Sequence, residues 1–268
     1  MGPDAPVVLA GATAALGGHD LWSGLDLTLG GTEFLAVIGP NGTGKTSLLR
    51  VLLGLLPLRA GSVRVAGGPP RRGNPAIGYV PQQRAFDPDL PLRGRDLVGL
   101  GLDGHRWGLG GLGAVERRRR IDRALEAVGA GAHADVPVGR LSGGEQQRLR
   151  VAAALVGQPR LLLCDEPLAS LDLRHQTEIL RLLGDLNRTA GLPLVLVTHD
   201  LHPVLSYVQR ILCLGRDTWA LGPPEQVLTA QALNRLYGTP VDVVRRGERC
   251  LILGLADSGP AGQEGGPA

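Results

Sequence analysis

The stretch Gly39-Pro40-Asn41-Gly42-Thr43-Gly44-Lys45-Thr46 decides the fold of this chain. A glycine is followed by four residues and then by Gly-Lys-Thr, which is the spacing of a phosphate-binding loop. In such a loop, backbone N–H groups surround phosphate oxygens and the lysine reaches the outer phosphates. Lys45 is the single lysine among the 28 lysine and arginine residues. A compact ammonium fits inside a tight loop where a planar guanidinium does not, so this exception supports a phosphate site.

The residues on either side of the loop predict a strand and a helix. Phe34 to Ile38 is continuously apolar, as expected of a buried parallel strand that leads into the loop. Leucines at helical spacing then predict a helix from Thr46 to Leu56, which ends near Pro57. A chance match to the loop pattern would lack this order of strand, loop and helix.

The overall composition excludes several classes of protein. The chain has 268 residues, enough for one large domain with an inserted subdomain or for two small ones. Aromatic residues make up only 3% and the net charge of +3 comes from scattered arginines, so we expect no nucleic-acid partner. The run Arg117 to Arg120 is interpreted as a solvated helix face. The three cysteines (Cys164, Cys213 and Cys250) form no CxxC pair and are expected to be buried in a reducing compartment.

We expect neither a membrane span nor a secretion signal in this chain. The longest apolar run, Leu48 to Leu58, is interrupted by Arg50 and is shorter than the ~20 residues that a spanning helix needs. No basic residue precedes the apolar N-terminal stretch, as a secretory signal would require. We therefore expect a cytosolic chain. If it works at a membrane, another subunit must span the bilayer.

A second glycine-rich segment lies in the middle of the chain, at Leu141-Ser142-Gly143-Gly144-Glu145-Gln146. Ser142 and Glu145 have the spacing of a capping box, which gives a purely structural explanation for a helix start. Two consecutive glycines in a first turn are nevertheless costly for a helix. They are explained if backbone amides approach an anion closely, as helix N-termini do.

Polar residues also follow two further apolar strands. Leu161 to Cys164 ends in Asp165-Glu166, and two carboxylates at the end of a buried strand are costly unless a cation or ligand uses them. Leu192 to Val197 ends in Thr198-His199-Asp200. A lone histidine is more often structural than catalytic. His199 is a candidate because it follows a third strand end, after two phosphate-type motifs.

Together these motifs resemble the ATP-binding subunit of ABC transporters over residues 7–250. Six matching elements occur in the family's order: Walker A at Gly39–Thr46, the Q-loop glutamine at Gln82, the LSGGQ signature at Leu141–Gln146, Walker B with its glutamate at Leu161–Glu166, the D-loop at Leu171-Asp172 and the switch histidine at His199. One difference lies in the signature, where Glu145 stands in place of the commonest Gln.

The resemblance implies an α/β fold with a P-loop NTPase (RecA-like) core. A small antiparallel β subdomain and an inserted ABC-specific α-helical subdomain would complete it. The RecA-like and β parts would cover about 5–82 and 158–250, and the helical subdomain about 83–157. Residues 1–250 would thus form a single ABC ATPase domain, and 257–268 a disordered tail.

The resemblance also implies ATP and Mg²⁺ as cofactors and a role for each motif residue. Thr46, Asp165 and Gln82 would hold the metal, while Lys45 and His199 would contact phosphate. Glu166 would activate the attacking water as general base. Ser142, Gly143 and Gly144 would bind the γ-phosphate of a second copy, so that two ATP lie between head-to-tail subunits. The nucleotide-binding set on the loop side comprises Gly39, Pro40, Asn41, Gly42, Thr43, Gly44, Lys45, Thr46 and Ser47.

The position that usually stacks on adenine departs from the family. An aromatic residue is common there, before two glycines, whereas this chain has Leu16-Gly17-Gly18. Either Leu16 packs on the base, or His19 or Trp22 takes its place.

The segment from Ile77 to Val98 is similar to the zinc and manganese import subfamily. Matching features within it are Ile77–Gln82, Phe86-Asp87, Leu90-Pro91 and Arg95–Val98. Two later segments, Thr198–His202 and Leu236–Gly238, agree with this similarity. The similarity implies a motor at the cytoplasmic face of the cell membrane, with integral-membrane permease subunits, a second ATP-binding subunit and an extracellular or periplasmic solute-binding protein as partners. Import of an iron chelate, haem or a vitamin is the nearest alternative.

Two alternatives belong to other classes of function. A soluble ABC ATPase of DNA repair or translation usually has a long coiled-coil insertion or two ATPase units, and this sequence has neither. A regulatory subunit that binds ATP but barely hydrolyses it is disfavoured by the intact set of Lys45, Asp165, Glu166 and His199.

Overall fold

A computed structural model gives the fold. It describes residues 5–82, 86–103, 113–237, 242–246 and 249–253. The predicted tail at 257–268 lies outside these residues. Within the described part of the chain, no helix has the length and apolar character needed to cross a bilayer.

A six-stranded sheet forms the centre of the molecule, in the order β5-β6-β7-β3-β8-β9. All neighbouring pairs are parallel except β8 and β9, which are antiparallel. The strands are β3 (Phe34–Ile38), β5 (Ile77–Val80), β6 (Leu161–Asp165), β7 (Leu194–Val197), β8 (Arg210–Leu214) and β9 (Trp219–Gly222). Every residue of β3, β6 and β7 is buried, as their continuous apolar sequences predict.

The two faces of the central sheet pack into two separate hydrophobic clusters. In β3, Phe34, Ala36 and Ile38 belong to one cluster, while Leu35 and Val37 belong to the other. This alternation follows from the period of two along a strand. The first cluster includes α5 (Leu173–Ala190), and the second includes α1 (Lys45–Leu52). Because both faces are covered, the strand ends are left to form the site.

The helix α1 is shorter than predicted. It ends at Leu52, with Leu53 as its C-cap, whereas the sequence pattern predicted an end at Leu56. Gly54 has φ of +70°, so the chain leaves the helical path there. A Cβ at this position would lie 2.8 Å from backbone atoms of Arg71.

A second, three-stranded antiparallel sheet has the order β2-β1-β4. Its strands are β1 (Val7–Leu16), β2 (His19–Leu29) and β4 (Ala60–Val65), which agree with the short strands predicted in this region. The pairing of β1 with β4 is interrupted between Ala10 and Thr13. This sheet packs with α1 in the second hydrophobic cluster.

The described part of the segment between β5 and β6 contains three α-helices. They are α2 (Gly94–Asp103), α3 (Ala114–Ala127) and α4 (Gly143–Leu155). The helix predicted to open at Arg117 begins one turn earlier, at Ala114, since Ala114, Val115 and Glu116 are also compatible with a helix. After β9 come the short helices α6 (Pro224–Val227) and α7 (Ala230–Tyr237) and the antiparallel pair β10 (Asp242–Arg246) and β11 (Arg249–Leu253).

Gly61 provides a test of the antiparallel sheet. Its φ is +80°, and a Cβ there would overlap the carbonyl groups of Gly11 and Ala10 in the irregular part of β1. Gly67 has a similar φ of +86° but open space around its Cα. We expect Gly61→Ala to lower the free energy of unfolding by about 1–3 kcal/mol more than Gly67→Ala. Denaturant unfolding of the two variants measures this difference, and equal losses would contradict the packing argument.

Candidate active site

The candidate site lies at the carboxyl edge of three adjacent strands. The sheet order places β6, β7 and β3 side by side and parallel. Gly39 follows β3, Glu166 follows β6 and His199 lies two residues after β7. Ligands of open parallel sheets bind at this edge, because the connecting loops leave a crevice there.

The phosphate loop, residues 39–46, ends at the N-terminus of α1. The N-cap of α1 is Gly44, which has φ of +88° and no side chain to accept a hydrogen bond. The first amides of α1 therefore have no side-chain partner at the cap. A Cβ on Gly44 would lie 2.9 Å from Leu21 Cβ and 3.0 Å from Trp22 Nε1. Glycine is thus required here both by the backbone conformation and by close packing. The exposed amides of a helix N-terminus favour an anion.

Lys45 is folded back over its own loop. Only 7% of the residue is exposed, and its Nζ donates to Gly39 O at 2.8 Å and Pro40 O at 3.0 Å. Burial lowers the pKa of Lys45, while the nearby carboxylates of Glu166 and Asp165 act in the opposite direction. A bound polyphosphate would supply the negative charge that this buried ammonium lacks.

Asp165 lies next to the hydroxyl of Thr46 and is almost fully buried, with 4% exposure. Thr46 Oγ1 donates to Asp165 Oδ1 at 3.4 Å, and the Tyr79 hydroxyl lies close enough to the carboxylate for each group to influence the pKa of the other. Burial raises the pKa of Asp165. Burial also raises the pKa of Tyr79, to about 12, and the nearby Asp165 carboxylate adds to this shift. A buried carboxylate with a raised pKa gains from a nearby cation.

The donor set here fits Mg²⁺ bound together with a nucleotide. Thr46 and Asp165 offer hard oxygen ligands. The described residues contain no cluster of three or more His, Cys, Asp or Glu that could hold a metal without other ligands. Magnesium commonly uses one or two protein oxygens, waters and substrate phosphates, so two protein ligands are sufficient.

Glu166 is the meeting point of two other predicted residues. Gln82 Nε2 donates to Glu166 Oε2 at 3.2 Å, and His199 Nδ1 lies 3.5 Å from the same oxygen. The backbone of Glu166 has φ of +46°, an uncommon conformation for a residue with a side chain. Its side chain is 19% exposed, whereas that of His199 is 63% exposed.

A cavity of about 260 Å³ opens beside these side chains. Its walls include Glu166, Ala169, Ser170, Gln176, Thr198 and His199. The segment between Glu166 and Asp172 thus forms one side of the space next to the carboxylate.

The signature segment, residues 141–146, lies at the start of α4. Ser142 is the N-cap, and the predicted capping box is present. Glu145 Oε2 accepts from both Ser142 N and Ser142 Oγ at 2.8 Å. These hydrogen bonds from Ser142 lower the pKa of Glu145, with further contributions from His133 and His175. The contacts shown for Ser142 and Gly144 are with Glu145 and His175 rather than with the phosphate loop.

The structure distinguishes between the three residues that were candidates for contact with the nucleotide base. Leu16 is 52% exposed at the end of β1, and the exposed His19 pairs with it at the start of β2. Trp22 is fully buried under the phosphate loop, which excludes it as a surface for stacking. Leu16 and His19 remain available.

Two residues near the site were missed in the sequence. Tyr79 contacts Asp165 because β5 pairs with β6, and this neighbour relation has no local signal in the sequence. His175 packs on Gly144, which depends on how α4 meets α5.

The fold and the site define a P-loop nucleotide-binding domain. Comparisons with known proteins give its family: a family model described as ABC transporter matches residues 22–169. The zinc import ATP-binding protein ZnuC of Cereibacter sphaeroides is 36% identical over 225 residues, which cover 83% of this chain and 84% of that protein. ZnuC of Pseudomonas putida is 35% identical over 235 residues, or 88% of this chain and 84% of the other.

Solved structures agree with this family. A metal-chelate type ABC transporter in an inward-facing conformation superposes with a TM-score of 0.78 at 25% identity, over 93% of this chain and 96% of that one. The ATP-binding cassette MJ0796, a dimer in a post-hydrolysis state bound to ADP and Pi, gives a TM-score of 0.63 at 27% identity, over 78% and 94%. The chain therefore belongs to the ABC transporter family and is one of its ATPase subunits.

The raised pKa of Asp165 predicts a pH-dependent stability. A carboxylate with a raised folded-state pKa contributes stability below its unfolded pKa, and this contribution is lost as the pH rises through the folded value. In the absence of nucleotide and metal, Asp165→Asn should therefore unfold at a higher temperature than the native chain at pH 8. The gap should shrink towards pH 4. Thermal unfolding over this range tests it, with the exposed Asp89→Asn as control, and destabilisation at pH 8 would contradict the argument.

Proposed function

We propose that this chain is the ATP-hydrolysing subunit that drives import of zinc through a partner permease at the cytoplasmic face of the cell membrane. The observation that carries the proposal is the convergence of Gln82 and His199 on one oxygen of Glu166, beside the strand that holds Asp165. The relatives that are 34–36% identical over most of the chain are named as zinc import proteins.

The phosphate loop would bind the nucleotide. Amides of Gly42, Gly44 and Lys45 would surround the phosphates, and Lys45 Nζ would exchange its two loop carbonyls for β- and γ-phosphate oxygens. Thr46 and Asp165 would hold Mg²⁺. Gln82, which donates to the neighbouring Glu166, would be a further ligand of the ion. The ion would neutralise charge on the phosphate oxygens. Leu16 would pack against the base.

Glu166 would act on the attacking water. Its carboxylate is mostly enclosed and borders the cavity, so a water between Glu166 and the γ-phosphate would be held away from bulk solvent. His199 would contact the γ-phosphate from the same side. Gln82, which is exposed, would sense the membrane subunit and the nucleotide together.

The site is expected to be completed by a second copy. Ser142 is the N-cap of α4, and Gly143 and Gly144 are its first two residues. They would supply amides and a hydroxyl to the γ-phosphate held by the other copy. Two ATP would then lie in a head-to-tail dimer, and the single chain would be a poor ATPase.

Zinc is favoured over the alternative cargoes by the named relatives. The metal-chelate type transporter resembles the chain in fold at 25% identity, below the 36% of the C. sphaeroides zinc protein. Manganese import is compatible with the sequence pattern. The permease subunits and a solute-binding protein would select the ion, and this chain would supply the energy.

Glu166→Gln tests the assignment of the base. The amide cannot accept the proton of the attacking water, so we expect hydrolysis to fall at least about 100-fold. ATP binding should persist because the phosphate loop is unchanged, and ATP should trap a dimer. Steady-state ATPase assays, fluorescent-ATP titration and size-exclusion chromatography with ATP measure the three effects. Native hydrolysis by this variant would refute the role of Glu166.

The cargo is tested in cells of the source organism. Deletion of the gene should reduce growth and cellular zinc content when zinc is limiting, and the native gene should restore both. The Glu166→Gln gene should fail to restore them, which ties import to hydrolysis. Reduced growth under manganese limitation alone would instead assign manganese. Unchanged growth and metal content under both limitations would overturn the importer proposal.

A further inference from the structure

The first turn of α5 carries a histidine held in a fixed orientation. Asp172 is the N-cap of α5, and its Oδ1 accepts from His175 N at 2.9 Å. Its other oxygen lies 2.8 Å from the ring atom His175 Nδ1. These two hydrogen bonds, the backbone one first, hold the pKa of Asp172 below its usual range. The imidazole therefore cannot rotate without losing a charge-assisted bond.

The ring of His175 lies directly on Gly144 of the signature segment. A Cβ on Gly144 would lie 2.7 Å from His175 Cγ and 3.0 Å from His175 Nε2, and it would overlap the ring carbon between them. Gly144 is the second residue of α4, where alanine would be the more favourable helix former in the absence of such a contact. The glycine leaves room for the imidazole.

The same turn of α5 also holds the segment that borders the cavity. Gln176 Nε2 donates to Leu171 O at 3.0 Å and to Leu168 O at 3.4 Å. Leu168 and Ser170 line the cavity together with Glu166. A single helical turn thus contacts the surroundings of the catalytic carboxylate through Gln176 and the signature glycine through His175.

We propose that His175 is a positioning residue for ATP hydrolysis, which fixes Gly144 relative to the cavity that contains Glu166 of the same chain. In the head-to-tail dimer, this Glu166 and this Gly144 serve different ATP molecules, so His175 connects the two sites. The inference rests on the proposed function. It adds a residue that acts through Gly144 without touching the nucleotide.

Removal of the ring should affect turnover more than binding. We expect His175→Ala to lower kcat about tenfold. Its affinity for a fluorescent ATP analogue should stay within about twofold of native, since the phosphate loop is untouched. His175→Asn can retain a hydrogen bond to Asp172 but has no ring over Gly144, so its kcat should fall as in His175→Ala. Native kcat in either variant would overturn the proposal.

A double-mutant cycle tests the contact itself. Gly144→Ala should lower both kcat and the thermal midpoint, because the new methyl group overlaps the imidazole. In Gly144→Ala/His175→Ala the overlap is gone, so the midpoint should recover relative to Gly144→Ala alone. Gly131→Ala, which places a methyl group in open space, is the control and should match the native chain. Additive losses in the double variant would overturn the proposal.

The ATPase assays distinguish a failure of the proposed function from a failure of the positioning role of His175. If the native chain hydrolyses ATP in a Glu166-dependent manner and the His175 variants match it, the proposed function stands and the positioning role is refuted. If the native dimer shows no Glu166-dependent hydrolysis, the proposed function fails and the positioning role fails with it.

Discussion

The parallel register of β6, β7 and β3 is the constraint on which the rest of the site depends. Asp165 pairs with Val197 across β6 and β7, and Val37 pairs with Val197 across β3 and β7. These three strands therefore end at one level of the sheet. The loops that follow them must begin at the same edge, whatever their own sequences, and this brings the phosphate loop, Glu166 and His199 together.

Burial gives this edge its electrostatic character. The same desolvation lowers the pKa of Lys45 and raises that of Asp165, so each group is less favourable in its charged form than it would be in water. The two charges partly offset each other without forming a direct ion pair, because Lys45 Nζ is bonded to loop carbonyls. A nucleotide with its metal carries both missing charges, an anion for Lys45 and a cation for Asp165. The site is therefore organised for a ligand that holds both signs at a short distance.

The parts of the fold that could be predicted have local signals in the sequence. Continuous apolar runs predicted β3, β6 and β7, and glycine spacing predicted the loop between β3 and α1. Ser142 and Glu145, three residues apart, predicted the capping box. Each of these predictions depends only on residues that lie close together in the sequence. The strength of the phosphate-loop pattern then identified the edge of the sheet on which the other motifs had to meet.

The parts that could not be predicted depend on contacts between distant residues. The contact of Tyr79 with Asp165 requires the pairing of β5 with β6, and α2, α3 and α4 lie between these two strands in the sequence. The burial of Trp22 requires the packing of the β2-β1-β4 sheet onto α1. Helix ends were misplaced where the backbone decides them, as at Gly54. A single sequence shows which residue types are present but not which loops a sheet brings into contact.

Glu145 sets a condition on how the signature segment can bind phosphate. Its carboxylate already accepts the N–H and the hydroxyl of Ser142, the donors that an incoming γ-phosphate would use. A glutamine at this position would compete with the phosphate for the Ser142 donors but would carry no negative charge. Glu145 both competes for these donors and repels the phosphate. His133 Nε2 lies 3.6 Å from Glu145 Oε1, and a positive charge on His133 or on His175 would reduce that repulsion. In the proposed dimer, the phosphate would therefore have to displace Glu145 from Ser142, and the two histidines are the groups that would stabilise the displaced carboxylate.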